Sequence, residues 1–356
     1  MAIHQLLVSA SPDDAITNAA IELRTLLRRV GPSEIYARFY DPVLGGDVKA
    51  LSRYGSGRPA EDLIIFHASI GDPEIFLFLR ERSERVVLMY HNMSPAESFE
   101  PFDPAFAGLL AAGRRDLALL TERVTMALAV SEFNARELEG LGFRDVRVSP
   151  LIIDVERLRS RPSEPATEHH LETGIAGPIL LFVGQLLPHK RPDLLIKAYH
   201  VLVTHLLPEA RLILVGPNRL PRYQQALQSF VQELNLPGAW ITGSVSASQL
   251  VTFYRHADTF VTASEHEGFC VPLVEAMAFD TPVVARAHAA IPDTLGGAGL
   301  LLPPDEDPFL LAEAMAAALT DEKLRSALVD AGRRRVGDFD ADRARMAALN
   351  NLLDVV

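Results

Sequence analysis

Residues Ser264–Met277 read SEHEGFCVPLVEAM, and they follow directly on Thr259–Thr262, a short run of strand character. Pro272 suits the first turn of a helix, where its missing N–H costs nothing. The loop Gly268, Phe269, Cys270 and Val271 then presents backbone N–H groups at a helix N-terminus. That is an anion site suited to a diphosphate. Two carboxylates frame it. Glu267 stands ahead of the helix, and Glu275 comes eight positions later, in the first turn, where it can accept from the vicinal hydroxyls of a ribose. The plainer role for the pair is a solvated acid and a complement to the helix dipole. The complete strand–loop–helix string favours the ligand role.

Working backwards, Leu181–Lys197 reads LFVGQLLPHKRPDLLIK. A buried strand ends at Gly184, which lets backbone approach a ligand closely. Gln185 opens the loop, and Lys190 and Arg191 close it just before a helix begun by Pro192 and Asp193. Cations at that point face phosphate oxygens. A basic pair by itself is a surface feature; this context makes it a binding one.

Alternation of short apolar runs with helical patterns extends over the whole chain, the signature of parallel sheets covered on both faces. Strands are predicted at Gln5–Ser9, Glu34–Ala37, Leu63–His67, Val86–Tyr90, Ala127–Val130 and Val146–Val148. A polar, Pro- and Gly-punctuated stretch, Ser160–Pro178, reads as a linker. Alternation restarts with strands at Ile179–Val183, Leu212–Val215, Ala239–Thr242, Thr259–Thr262 and Pro282–Ala285, and closes on a helix over Asp340–Leu353. The expected organisation is an N-terminal domain over 1–165, joined by a C-terminal helix at about 338–356 that crosses back, and a second domain over 166–337. In doubly wound sheets, ligands bind outside the carboxyl ends of the strands.

In the first half, VVLMYHNMSP (86–95) runs from a strand into His91 and Asn92 at such an end. His91 is a candidate to hydrogen-bond a sugar hydroxyl or to lend positive charge. His67, in LIIFHASIGDP, is a second contact candidate. Asp14 and Asn18, in DAITN after the first strand, are placed to approach a ligand where no paired glycines occur.

The chain has 356 residues, 48% of them hydrophobic, enough for two cores. Its net charge of −12 argues against a general nucleic-acid binder. A single cysteine, Cys270, excludes an intrachain disulfide and a Cys/His zinc framework. No apolar run reaches membrane-spanning length, and the first ten residues lack the basic start of a signal peptide. The expectation is a cytoplasmic protein, compatible with peripheral contact at the inner face of a membrane. Acid pairs at Asp305/Asp307 and Asp338/Asp340/Asp342 follow no strand placed at the site, so no metal site and no cofactor are expected.

Taken together, these strings resemble the family-4 retaining glycosyltransferases of GT-B fold. EHEGFCVPLVEAM resembles that family's motif of two glutamates with seven residues between them, with Glu267 and Glu275 as its acids. FVGQLLPHKRPDLLIKA resembles its first strand–loop–helix of the second domain, with Lys190 at the phosphate-binding lysine. LILVGP, WITGSVSASQLVTFYRHADTFVTAS and TPVVA follow in the family's order, and YHNMSP and AVSEFNARELEGLGF match the first domain's pattern. The resemblance is specific from about Pro178 to Leu319 and looser before. It implies two doubly wound Rossmann-like domains facing a central cleft, a nucleotide-diphosphate sugar as donor, and a sugar, lipid or polyol as acceptor. It implies retention of anomeric configuration and metal independence, with the donor held by Gly184, Gln185, Lys190, Arg191, Gly268–Val271 and Glu275. Glu267, Lys190 and His91 stand nearest the chemistry.

Three departures stand out. Gln185 replaces a common diphosphate-binding arginine, which shifts that work toward Arg191; Cys270 occupies a usual glycine; AHAAIPDTLG has alanines where a Gly-Gly pair is common. The alternatives are a nucleotide-sugar epimerase or sugar phosphorylase of the same fold, or a nucleotide or glycan binder with a decayed site. A dehydrogenase is disfavoured, because LLVSASPDDAITNA has no Gly-x-Gly-x-x-Gly.

Overall fold

The computed structural model describes residues 1–12, 14–55, 57–174, 176–217 and 219–355. Of the predicted segments, Asp13 after the first strand, Ile175 in the linker and Val356 at the end of the last helix lie outside the described residues. The chain forms two compact units: Met1–Ile152 together with the segment from Asp340 onward, and Ile153–Phe339.

The first unit holds seven strands: β1 (Ile3–Ala10), β2 (Ile35–Tyr40), β3 (Val48–Ala50), β4 (Leu63–Ala68), β5 (Arg85–Tyr90), β6 (Val124–Ala129) and β7 (Val146–Val148). They are ordered β3-β2-β1-β4-β5-β6-β7, and every pairing is parallel. The second unit holds β8 (Ile179–Val183), β9 (Arg211–Val215), β10 (Ala239–Gly243), β11 (Thr259–Thr262), β12 (Val283–Arg286) and β13 (Leu300–Leu302). Their order is β10-β9-β8-β11-β12-β13, again all parallel. Both units are doubly wound, and strand order reverses between β1 and β4 in one and between β8 and β11 in the other. Such a switch point opens a crevice at the carboxyl ends of its flanking strands. The central strands are buried on both faces, which explains their continuous apolar runs. Edge strands β3 and β13, three residues each, escape sequence reading.

The helix Ala341–Leu353 packs on the first unit. Ala348 and Leu352 join the core of Ile3, Leu23 and Leu27, and Arg345 pairs with Glu22.

The linker reading of 160–178 is corrected. Helices span Val155–Ser160 and Pro165–Gly174, and the second unit begins at Ile153 rather than 166. The cause is a cap that propensity alone does not reveal. Glu164 accepts from the backbone N–H groups of Ala166 and Thr167, Pro165 begins the helix, and Thr167 and Leu171, one turn apart, are buried.

The crevice of the second unit depends on two glycines. Gly184 has φ +158° and Gly216 has φ +144°. A Cβ on Gly216 would sit 2.0 Å from the carbonyl oxygen of Gly184. Backbone cannot yield as a flexible side chain does. Gly216→Ala is therefore expected to cost about 1–3 kcal/mol, lowering the melting temperature by about 2–4 °C per kcal/mol. Scanning calorimetry checks this; an unchanged melting temperature would show that the strand ends are not in van der Waals register.

Candidate functional site

Lys190 and Glu267 meet because their loops leave β8 and β11, the strands flanking the switch point. After Gly184 the chain passes through a 3₁₀ turn, Pro188–Lys190, into the helix Pro192–His205. The backbone N–H of Glu265 donates to the carbonyl of His189 at 2.8 Å and ties the two loops together. Lys190 Nζ then lies 2.6 Å from Glu267 Oε2 and donates to the carbonyl of His266 at 3.3 Å. Both side chains are mostly buried, 17% and 13% exposed, so the pair is weakly screened.

The helix spans Val271–Ala278 with Pro272 in its first turn. Cys270 caps it in the left-handed region, φ +71°, where a side chain costs on the order of 1 kcal/mol and glycine costs little. Burial, with the Glu267 carboxylate nearby, pushes the pKa of the thiol up. Among the described residues, no protein acceptor takes the backbone N–H groups of Gly268, Phe269, Cys270 or Val271. The Phe269 carbonyl accepts from the Thr294 hydroxyl, and its ring packs edge-on against Phe339, so the loop is braced from behind.

Glu275 lies just past the first turn rather than within it. It accepts from the Tyr254 hydroxyl at 2.7 Å, and burial raises its pKa. The Cys270 thiol lies close enough to Lys190 and Glu267 on one side and to Tyr254 on the other to couple with all three. One patch therefore runs from Lys190 through Glu267 and Cys270 to Tyr254 and Glu275.

Arg191 departs from expectation. Its backbone is left-handed, φ +52°, and its guanidinium is taken up by Asp193, Glu265 and Glu306. Those carboxylates hold its pKa above the usual range. Three acids already answer this cation, so it stiffens the loop, and Lys190 is the cation held by Glu267, the residue just before the open N–H groups. Gln185 is half-buried; its side chain has no partner among the described residues, and its carbonyl accepts from the N–H of Leu187.

In the first unit, Gln5 within β1, His67 near the carboxyl end of β4 and His91 just past the end of β5 form a line of hydrogen bonds. Burial brings the pKa of His91 down to about 4, so the ring is neutral at pH 7. A neutral ring lends no positive charge, counter to one of its two predicted roles, and the hydrogen bond it makes within the chain is to His67. Asn92 also departs from expectation. It is buried with φ +80°, a conformation asparagine tolerates, and it donates to Asn134 and Glu137 inside the unit. Asp14 is the N-cap of the helix Ala15–Leu27, its carboxylate occupied by the N–H and hydroxyl of Thr17, and Asn18 is exposed on that helix.

Sequence reading missed Tyr254 and Gln5. Tyr254 lies on the buried face of an amphipathic helix and leaves no mark of its partner. Gln5, a polar residue inside the apolar run IHQLLV, is a legible signal, since a buried amide needs partners. Among the described residues, no three His, Cys, Asp or Glu side chains converge as a metal site requires, and no helix is long and apolar enough to cross a membrane.

Burial holds four histidines neutral: His4 and His91, each down to about 4, and His67 and His189, both well below the usual value. Unfolded, each titrates near 6.5. Below that pH the unfolded chain takes up protons that the folded chain refuses. Stability is therefore full above about pH 6.5 and falls as pH drops toward 4. Melting temperature against pH should show this fall, with a shallower slope in His91→Asn; identical slopes would refute a neutral His91.

Residues 168–335 match the family described as Glycosyl transferases group 1. The chain is 30% identical over 239 residues to a D-inositol 3-phosphate glycosyltransferase of Kineococcus radiotolerans, covering 62% of this chain and 55% of that protein. It is 28% identical over 172 residues to an O-antigen chain mannosyltransferase B of Escherichia coli, covering 48% of this chain and 44% of that protein. The matches thus span about half the length of these curated relatives. The fold matches that of Anabaena Alr3699/HepE, solved in complex with UDP and glucose, with TM-score 0.78 and 18% identity over 99% of this chain and 100% of that one. It also matches the sucrose-phosphate synthase of Thermosynechococcus elongatus, with TM-score 0.75 and 20% identity over 99% of both chains. Two parallel-sheet, Rossmann-like units are the GT-B architecture.

Proposed function

We propose that this chain, whose residues 168–335 match glycosyl transferases group 1, moves a hexose from a UDP- or GDP-linked donor to an acceptor hydroxyl, with retention of configuration and without a metal. The observation that carries the reading is the Lys190–Glu267 pair, 2.6 Å apart, beside four unspent backbone N–H groups at a helix tip. A cation and aligned N–H dipoles at one point suit a leaving diphosphate, whose negative charge grows as the glycosidic bond breaks. Glu267 has a role of its own. It holds the Lys190 ammonium at the loop before the donor arrives, and it offers a carboxylate to the sugar. Glu275 takes the ribose hydroxyls, with Tyr254 fixing the orientation of its second oxygen. The acceptor is a sugar, lipid or polyol hydroxyl attacking from the leaving-group side, with the diphosphate taking its proton. A relative named for inositol phosphate supports a polyol among the first acceptors to try.

The test is a melting-temperature screen of UDP- and GDP-sugars beside their free diphosphates, beginning with UDP-glucose because a structural neighbour holds UDP and glucose. A donor and its own diphosphate should both stabilise the protein. Incubation of that donor with candidate acceptors should give a glycoside of unchanged anomeric configuration in the presence of chelator. Failure of every nucleotide to stabilise the chain would sink the proposal. Turnover of the donor without acceptor would replace it with epimerisation, and a need for free phosphate with phosphorolysis.

A further inference from the structure

Strands β1 and β4 flank the switch point of the first unit, and each carries a buried polar side chain. Gln5 is fully buried and His67 is 1% exposed. The Gln5 amide nitrogen donates to the carbonyl of Ala20 at 2.9 Å. A carbonyl oxygen only accepts, so this contact fixes which way the amide points. Gln5 Oε1 must then face His67 Nε2, at 2.8 Å, and the proton in that contact belongs to His67. Burial keeps His67 neutral, leaving it a single ring proton. Its Nδ1 is therefore a bare acceptor, and it lies 2.9 Å from Nε2 of His91. The ring planes are 11° apart with centroids 5.1 Å apart, so the imidazoles meet edge to edge with the N–H in line. His91 carries its proton on Nε2. Its Nδ1 has no partner among the described residues.

Two imidazoles at this spacing have two equivalent polarities, because either ring can donate. The asymmetry comes from Gln5, whose own direction is set by the acceptor-only carbonyl of Ala20. We propose that Gln5 and His67 are positioning residues that hold His91 as the Nε2–H tautomer, so that Nδ1 presents an obligate acceptor at the carboxyl edge of the first sheet and takes a sugar hydroxyl rather than a carboxylate or phosphate oxygen. This rests on the proposed function for the identity of the hydroxyl, whereas the tautomer itself is a property of the free protein.

Long-range ¹H–¹⁵N correlation spectra of the full-length, ligand-free protein read the tautomer directly, with the His91 signals assigned by their loss in His91→Asn. The expected pattern is a protonated Nε2 and an unprotonated Nδ1 between pH 6 and 8. Gln5→Leu should produce a measurable Nδ1–H population, and Gln5→Glu, which keeps an acceptor facing His67, should restore the original form. Wild-type His91 protonated at Nδ1 overturns the relay whether or not the variants fold, and an unchanged tautomer in folded Gln5→Leu removes Gln5 from it. Saturating UDP-glucose, or GDP-mannose where the melting screen selects it, should move the Nδ1 resonance without adding a proton. Conversion to imidazolium would mean an anionic partner, and an unmoved Nδ1 no contact; either overturns the hydroxyl assignment. A correct tautomer in a protein that transfers no sugar would defeat the proposed function and leave the relay standing.

Discussion

Lys190→Ala is expected to lower kcat by about 10²–10³-fold, the loss of about 3–4 kcal/mol of transition-state stabilisation that one well-placed donor supplies in an enclosed site. In the proposed reaction the ammonium and the N–H groups of Gly268–Val271 answer the charge that a leaving diphosphate gathers, and water outside the loop does not replace the ammonium there. The effect should fall on kcat more than on KM, because the charge it answers grows only as the bond breaks. Lys190→Ala also leaves Glu267 without its 2.6 Å partner, so melting temperature must be read beside the rates. A double variant, Lys190→Ala with Glu267→Gln, removes the stranded charge. It should recover any lost stability and none of the lost turnover. Normal turnover in a folded Lys190→Ala would remove the diphosphate from this loop.

Glu275→Ala is expected to act on the other kinetic constant, raising the KM for donor by about 10- to 100-fold with kcat changed much less. Hydrogen bonds to a charged group contribute about 1.5–3 kcal/mol, and a ribose far from the reacting carbon is held equally before and during reaction. The confounding effect is structural. Tyr254 donates to Glu275 at 2.7 Å from a buried position, and truncation orphans that hydroxyl. Glu275→Gln keeps an acceptor for Tyr254 while giving up the charge. Its melting temperature should stay near wild type while KM still rises. A KM unchanged in both variants would reduce Glu275 to a partner of Tyr254 alone.

Residue by residue, the candidate site was legible where its chemistry is local. Pro272 announces the helix start, and Lys190 before Pro192 announces a cation at another. Cys270 in a glycine's place is a local mark as well, and its φ of +71° is a conformation that glycine adopts at little cost. The site was illegible where a partner decides the role. Arg191 and Lys190 are neighbours in the chain, yet Arg191 meets Asp193, Glu265 and Glu306, whereas Lys190 meets Glu267. Nothing in HKRPD distinguishes them. Asp14 and Asn92 looked like ligand contacts and turned out to serve a helix cap and a buried amide network.

From sequence alone came the two doubly wound halves, the loops that carry charge and the residue types in them. Strand periodicity, helix caps and proline position act over a few residues, so they can be read from the chain in order. Tertiary structure decided that Lys190 is held by Glu267, that Tyr254 orients Glu275, and that Gln5 sets the polarity of His67 and His91. It also folded most of the expected linker into the helix Pro165–Gly174. In each of these pairs the partners belong to separate elements, brought together by a sheet that sets β8 beside β11 and β1 beside β4. Hydrogen bonds and ion pairs depend on distances of a few ångströms, and strand order rather than chain order determines which side chains come that close.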